Sequence, residues 1–514
     1  MSLATTELRA READRPREAL PVRLMPLLPA VAALALSLAG IRGASFWLDE
    51  SATVSMTGRS TADMLRVFDH LDLVHAPYYL IMRPWAALFG TGELALRLPS
   101  ALAAGAAAAG VAVLGRRCHG PLAGLLAGLL YAGSVPVSRY GQEARSYAMV
   151  AAAAVLASYL LARGVEKDVR RPWPWFCGYA LAIVLGGLLN LNAVLLLPAH
   201  GITLAVARSR RAGTWVRWPV AAGAAVAALV PFGLAARDQK VQVDWLPVPT
   251  WRTVRTLAEF LTGAPALVPP VLALAVAGAV ATRRGRGGLS LAALAVPWLL
   301  VPPAVLLVAS LVTDPLFTFR YVLFCVPALA LLAGAGLARL AALGRPAAGT
   351  ALAVAVVAVL AVPSVPEHRA IRRQDSRPDD LRAAADIVRG HARDGDAIVY
   401  LAGIVRWDAA AYPDAFGRLR DIGMAEDPVR AGNLKGRDLL PREIRGALIR
   451  SDRVWVMSSR SVVTRPGDVV WRRARTVLVA GPWRVAGDWR FRGGVLTLYE
   501  RTGPFRPGSR PPWP

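Results

Sequence analysis

Two carboxylates, Asp49 and Glu50, stand in the stretch Ser45-Phe46-Trp47-Leu48-Asp49-Glu50-Ser51, just beyond a long apolar run at 24–41. An acidic pair so near the end of a membrane-length run is costly unless water, a cation or a reaction needs it there. Asp49 at such a boundary can serve as a general base that takes the proton of an acceptor hydroxyl. The same pair also suits the first turn of a short helix starting near Leu48, where negative charge meets the helix dipole. Both readings stand on this stretch alone.

The remaining chemistry-bearing residues fall into segments far apart in the chain. Ser138-Arg139-Tyr140-Gly141-Gln142-Glu143-Ala144-Arg145-Ser146-Tyr147 supplies Glu143, a second carboxylate for positioning or for a cation. Arg139 and Arg145, with Arg320 from Thr313-Asp314-Pro315-Leu316-Phe317-Thr318-Phe319-Arg320-Tyr321, are candidates to hold a phosphate, because a guanidinium can neutralise it with two hydrogen bonds. Arginines at helix ends also snorkel to lipid headgroups, which is the structural alternative. Asp72 and His75, three residues apart beside Asp69 and His70, have the donor types for a divalent cation, or for a local hydrogen bond. His200, Asn190 and Asn192 lie in or near apolar runs and read as helix–helix hydrogen bonds. Trp245 and Trp251 read as an interfacial aromatic belt, with sugar stacking as the alternative.

The elements that must position these groups are membrane helices. Of 514 residues, 55% are hydrophobic, and apolar runs of spanning length recur, which excludes a soluble protein. Runs at 24–41, 100–115, 121–137, 147–162, 174–190, 192–207, 218–235, 266–281, 289–311, 322–341 and 348–363 predict about eleven transmembrane helices. The net charge of +25 comes almost wholly from Arg, Lys occurring only at Lys167, Lys240 and Lys435. These cations cluster in short connections: Arg116 and Arg117; Arg163 to Arg171; Arg208 to Arg211; Arg283 to Arg286; Arg339 and Arg345. That is the positive-inside pattern rather than a nucleic-acid surface. It places the N-terminus in the cytoplasm, the acidic segments outside, and the C-terminus outside in a multi-pass plasma membrane protein. Cys118, Cys177 and Cys325 lie in or beside apolar runs without metal-ligand spacing, and no structural disulfide is expected.

Three domains follow: a disordered cytoplasmic tail at 1–23, a membrane module at 24–364 whose first external loop spans 42–99, and an exterior α/β domain at 365–514. Short helices are expected at 49–58 and 61–70, and the aromatic stretch 76–89 reads as helical and interfacial. In the exterior domain a helix from Asp379 to about Ala392 precedes a strand at 397–401, with further strands at 453–457, 475–480 and 494–499. No glycine-rich phosphate loop follows the first strand.

The segments Phe-Trp-Leu-Asp-Glu, His-Ala-Pro-Tyr-Tyr, Gly-Thr-Gly-Glu-Leu-Ala-Leu-Arg-Leu-Pro-Ser, Gly-Arg-Arg, Ser-Arg-Tyr-Gly-Gln-Glu-Ala-Arg-Ser-Tyr and Phe-Arg-Tyr-Val-Leu-Phe-Cys-Val-Pro-Ala occur in that order over about 24–340. Together they resemble the GT-C glycosyltransferases, in the family 39 branch related to protein O-mannosyltransferases and lipid A aminoarabinose transferase. The resemblance implies a mainly α GT-C membrane fold and transfer of a mannose- or arabinose-like sugar from a polyprenyl-phosphate donor. The acceptor would be an extracytoplasmic glycan, lipid or protein hydroxyl. It implies that Asp49 is the essential acid of the first external loop and Glu143 the second acidic position. Arg145 and Arg320 match arginines near the donor phosphate. Glu50 joins the two acids as a catalytic candidate, and Arg139, Tyr147, His75, Tyr78, Arg97 and Tyr321 complete the substrate-binding candidates. A divalent cation at Asp72 and His75 is the one cofactor candidate. Two positions depart from the branch: Glu in place of Asp at 143, and His-Ala-Pro where His-Pro-Pro is common. A membrane transporter or lipid flippase of cell-envelope precursors is the alternative, and it would call for mid-membrane ionisable residues and internal repeats.

Overall fold

The computed structural model describes residues 23–207, 213–239, 246–280, 289–343, 346–401, 403–459 and 481–504. The tail at 1–22, Lys240, Trp245, Arg208 to Arg211, Arg283 to Arg286, Arg345 and the strand expected at 475–480 lie outside them.

Every apolar run named above holds a helix, and the order is α1 (Leu27–Leu38), then a polar segment with α2 (Leu48–Thr57), α3 (Thr61–Phe68) and α4 (Ala76–Phe89). There follow α5 (Glu93–His119), α6 (Pro121–Ala132), α7 (Val135–Gly141), α8 (Tyr147–Gly164), α9 (Trp173–Leu189), α10 (Leu196–Val206) and α11 (Thr214–Arg237). The membrane part closes with α12 (Trp251–Thr262), α13 (Val268–Ala279), α14 (Leu291–Val312), α15 (Val326–Ala341) and α16 (Pro346–Ala370). Among the described residues six helices are long and apolar enough to cross a bilayer, and two bent pairs, α6 with α7 and α12 with the segment Pro265–Ala279, could each make a further span. Leu27–Leu38, Trp173–Leu189 and Leu191–Val206 are shorter apolar helices.

Two boundaries differ from expectation. Helix α5 begins at Glu93, not 100, so the first polar segment ends earlier than 99. Arg97 is tolerated inside it because a carboxylate neutralises it, as described below. Gly92 caps the start with Glu93 in the first turn, and Arg116, Arg117 and His119 crowd the last, charges that complement the dipole at both ends. Gly120, at φ 111°, ends the helix where a side chain would be strained, and Pro121 opens the next. Helix α16 continues to Ala370 through Pro363 and Pro366, beyond the end expected at 363.

Helix α15 is the hub of the bundle, buried along almost its whole length. It crosses α13 at Gly278 and Gly336, where a Cβ on Gly336 would stand 2.0 Å from the Leu274 carbonyl oxygen. Small residues let the two backbones touch, the usual device where lipid offers no hydrophobic drive.

Past α16 the exterior domain contains α17 (Leu381–His391), β1 (Ala397–Tyr400), α18 (Gly403–Ala409), α19 (Pro413–Phe416), β2 (Arg420–Asp421), β3 (Met424–Glu426), β4 (Arg437–Asp438), α20 (Pro441–Ile449), β5 (Arg453–Ser459), β6 (Trp483–Phe491) and β7 (Gly494–Arg501). Its main sheet has the order β2-β1-β5-β7-β6, parallel across the first three strands and antiparallel across the last three. Strand β6 was not expected, because Arg484, Asp488 and Arg490 and the bulge at Val485–Gly487 hide its alternation. One hydrophobic core runs from the membrane helices through Phe46 into Val405, Tyr412 and Trp455, so the exterior domain sits directly on the first polar segment.

The Gly336 crossing yields a test. Gly336→Ala is expected to lower the Tm of the detergent-solubilised protein by several degrees. Gly223→Ala, where nothing lies within 4 Å, is expected to leave it unchanged or raise it slightly, since Ala favours a helix by up to about 1 kcal/mol.

Candidate active site

The chain enters the site through residues 41–46, and one ion pair fixes that entry. Arg97 and Glu50 are both fully buried, and the guanidinium donates to both carboxylate oxygens at 2.8 and 2.7 Å. The remaining Arg97 donors reach the carbonyls of Ile41 (2.7 Å), Ala44 (2.8 Å) and Ser45 (3.1 Å), and its plane lies over the Phe46 ring. Glu50 Oε1 also accepts from the Ala144 amide at 2.8 Å. All the Arg97 donors are thus used within the protein, and Glu50 is enclosed with it. This corrects the expectation for Glu50 and Arg97: they hold the scaffold and present no surface to a substrate.

With Glu50 turned inward, Asp49 turns outward on the same first turn of α2. Its carboxylate is 19% exposed and faces two guanidiniums, Arg320 Nη1 at 3.1 Å and Arg145 Nη2 at 3.8 Å. The amide of Leu48 donates to Asp379 of the exterior domain at 3.4 Å, which caps α2 from across the domain boundary. Asp49 and Glu50 do lie in a first helical turn, so the structural reading of the pair holds alongside the chemical one.

Arg145 donates its other nitrogen to the Tyr79 hydroxyl at 2.8 Å, and that hydroxyl donates to Asp72 Oδ2 at 2.5 Å. A continuous polar line therefore runs Asp72, Tyr79, Arg145, Asp49, Arg320. Sequence reading missed Tyr79 and chose its neighbour Tyr78, which is fully buried with its ring 5.8 Å from that of Tyr79. The signal was available: His75 and Tyr79 are four residues apart at the start of α4 and share a face.

Arg320 comes from the short 3-10 helix Phe319–Cys325 and lies over the rings of Trp47 (5.8 Å) and Tyr147 (6.0 Å). Tyr321 follows it, half-buried. Phe319, Phe260, Tyr140 and Tyr147 make an aromatic row with successive ring centroids 5.8, 6.1 and 5.4 Å apart, joining α12 to the site. Trp251, at the far end of α12, is 71% exposed and stands apart from it.

Glu143 is 1% exposed, with Arg139 Nε at 3.8 Å. Burial pushes its carboxyl upward, against the pull of Arg139 and Arg377. His75 lies 3.9 Å from Asp72. Burial and the Arg145 guanidinium pull it down to about 4, so the imidazole is neutral near pH 7. The residues do not fit the divalent cation expected there. Asp72 already accepts from Tyr79, Arg145 is close, and among the described residues no third His, Cys, Asp or Glu joins the pair. His200 bridges Ser158 and Tyr179 across helices, each at 3.1 Å, as its apolar setting suggested.

Glu50 and Asp49 are separable by experiment. Arg97→Ala or Glu50→Ala strands one buried charge and is expected to cost about 3–5 kcal/mol, seen as a large fall in Tm. Asp49→Asn, which keeps an oxygen toward Arg320 at a partly exposed position, is expected to lower Tm much less.

A family model described as dolichyl-phosphate-mannose-protein mannosyltransferase matches residues 75–235. No curated protein matches the chain. Among solved structures, ArnT from Cupriavidus metallidurans in the apo state is similar at TM-score 0.59 and 14% identity, over 92% of this chain and 97% of that one. The same protein bound to undecaprenyl phosphate gives 0.58 and 15%, over 93% and 98%. The oligosaccharyltransferase AglB from Archaeoglobus fulgidus, in complex with an inhibitory peptide and a dolichol-phosphate, gives 0.51 and 11%, over 86% and 69%.

Proposed function

We propose that the protein, whose GT-C fold is shared with ArnT and AglB over most of its length, is an integral membrane glycosyltransferase. It transfers a mannose- or arabinose-like sugar from a polyprenyl-phosphate donor to a hydroxyl of an extracytoplasmic glycan, lipid or protein. The observation that carries this reading is the convergence of Asp49, Arg145 and Arg320 from three distant segments onto one partly exposed point. The similar structures support the donor class, since ArnT was solved with undecaprenyl phosphate and AglB with a dolichol-phosphate.

In this reading Arg145 and Arg320 hold the phosphate of the donor, and Asp49 is their counter-ion until it arrives. The acceptor oxygen attacks the anomeric carbon as its proton passes to the Asp49 carboxylate. The bond from that carbon to the phosphate oxygen breaks, and the electron pair leaves with polyprenyl phosphate. The leaving group gains negative charge in this step, and two guanidiniums already in place stabilise that charge most when it is fully formed. Tyr79 and Asp72 keep Arg145 from swinging away. Direct displacement inverts the anomeric carbon.

The membrane orientation follows from the same charges. Along α5 the buried Arg97 and the basic turn at Arg116 and Arg117 are about 30 Å apart, at 1.5 Å per residue. Arg117 and Arg163 pair with Glu166 at the end away from Asp49. Positive charge at that end supports a cytoplasmic position for it, with the catalytic end and the exterior domain outside the plasma membrane.

The test is transfer of label from a panel of polyprenyl-phosphate sugars to native membrane extract by wild type and Asp49→Asn. One donor is expected to be used, with transfer at least 100-fold lower in the variant; equal labelling by both would remove Asp49 as the base. NMR of the isolated product should find the anomeric configuration inverted, and retention would exclude direct displacement.

A further inference from the structure

The exterior domain is joined to α16 by residues 371–380, and this connector does more than span a gap. Arg372 donates to the carbonyls of Ala39 (2.7 Å) and Leu36 (3.0 Å) at the end of α1. The Ser45 amide donates to the Gln374 carbonyl at 3.0 Å. Gly43 lies against the connector so closely that a Cβ would fall 2.2 Å from the Arg372 carbonyl oxygen. Thus the segment leading to Asp49 is laid along the connector.

Arg377 is the one connector side chain that enters the catalytic loop, and it is fully buried. It donates to the carbonyls of Gln142 (3.1 Å) and Arg139 (3.4 Å), both in the segment that leads into Glu143, and reaches back to Ile371 at 3.5 Å. The contact is reciprocal, since Arg139 donates to the Ser376 carbonyl at 3.3 Å. No carboxylate forms an ion pair with Arg377 among the described residues, and neither oxygen of buried Glu143 takes a hydrogen bond there. A guanidinium buried only on carbonyls is costly. Burial drives Arg377 down to about 9, with the nearby charge of Glu143 opposing the fall. Such a group would be replaced by an apolar one if packing were its whole purpose.

We propose, on the footing of the glycosyltransferase reading, that Arg377 is a positioning residue that sets the loop carrying Glu143 and Arg145 from the exterior-domain connector. Acting from outside the membrane module, it makes catalytic-loop geometry depend on the docking of the exterior domain. Charges facing Glu143 are Arg139 on its own segment, Arg377 on the connector, Arg320 before α15, and Asp49 and Glu50 on α2. Arg145 is further held by Asp49 and Tyr79, so the donor phosphate contacts survive loss of Arg377 better than the placement of Glu143 does.

The experiment is a double-mutant cycle of Arg377→Gln and Glu143→Gln in the full-length protein, read as kcat and donor KM. Arg377→Gln is expected to lower kcat at least tenfold and to change donor KM less than threefold. The double variant is expected to match Glu143→Gln within twofold, because the first residue acts through the second. Multiplying effects, or a kcat for Arg377→Gln within twofold of wild type, would overturn the proposal. If Arg377→Gln does not fold, Arg377→Lys replaces it in the cycle with the same expected non-additivity. Absence of transfer by wild type itself would strike the glycosyltransferase reading and not the clamp. The clamp is then read from the Tm of the same four proteins, where the double variant should melt above the sum of the single losses; additive losses would overturn it.

Discussion

The Glu50–Arg97 pair is the constraint on which the site is built. Two fully buried charges are tolerable in a membrane protein only when each is matched in charge and saturated in hydrogen bonds. Arg97 meets both demands by taking one carboxylate and three carbonyls, and Glu50 by taking one guanidinium and the Ala144 amide. One interaction therefore joins the end of α1, the first turn of α2, the interior of α5 and the loop before α8. Because successive residues on a helix point about 100° apart, fixing Glu50 inward aims Asp49 outward. The acid proposed as the base is aimed by its buried neighbour.

At Asp49 itself two guanidiniums meet one carboxylate. Arg145 and Arg320 share one carboxylate, and Arg139 stands over a Glu143 that burial pushes toward its neutral form. Such an excess suits an arriving anion, and it explains why Tyr79, Asp72 and the aromatic rings of Trp47 and Tyr147 surround the guanidiniums. These neighbours orient the arginines without neutralising them fully, so that a phosphate oxygen still finds a strong partner.

The exterior domain contributes to this geometry as well as covering it. Asp379 caps the helix that bears Asp49, and Tyr412 accepts from the Phe46 amide at 3.2 Å while donating to Glu93 at 2.7 Å. Arg59 reaches the carbonyls of Pro428 and Asn433 in return. The contacts of Asp379 and Tyr412 with Leu48 and Phe46 land on backbone of the first polar segment, where α2 and α3 are only 10 and 8 residues long. Rigidity is supplied from outside.

The sequence by itself determined the membrane helices, because hydrophobic length and flanking charge are local properties that lipid reads one segment at a time. It determined the residue types of the site too, since Asp49, Glu143, Arg145 and Arg320 stand out as charges beside apolar runs. Motif order gave the family likeness. Only the tertiary structure decided which of two adjacent acids faces the open side, for that depended on Arg97, forty-seven residues from Glu50. It also decided that Tyr79 rather than Tyr78 carries the hydrogen bond to Arg145, and that Asp72 and His75 serve that network instead of a cation. Arg377 and Asp379 were invisible in the sequence because their meaning lies in backbone carbonyls and amides of segments hundreds of residues away. A carbonyl looks the same behind every side chain, so a contact to one leaves no trace in residue type, and only the fold reveals it.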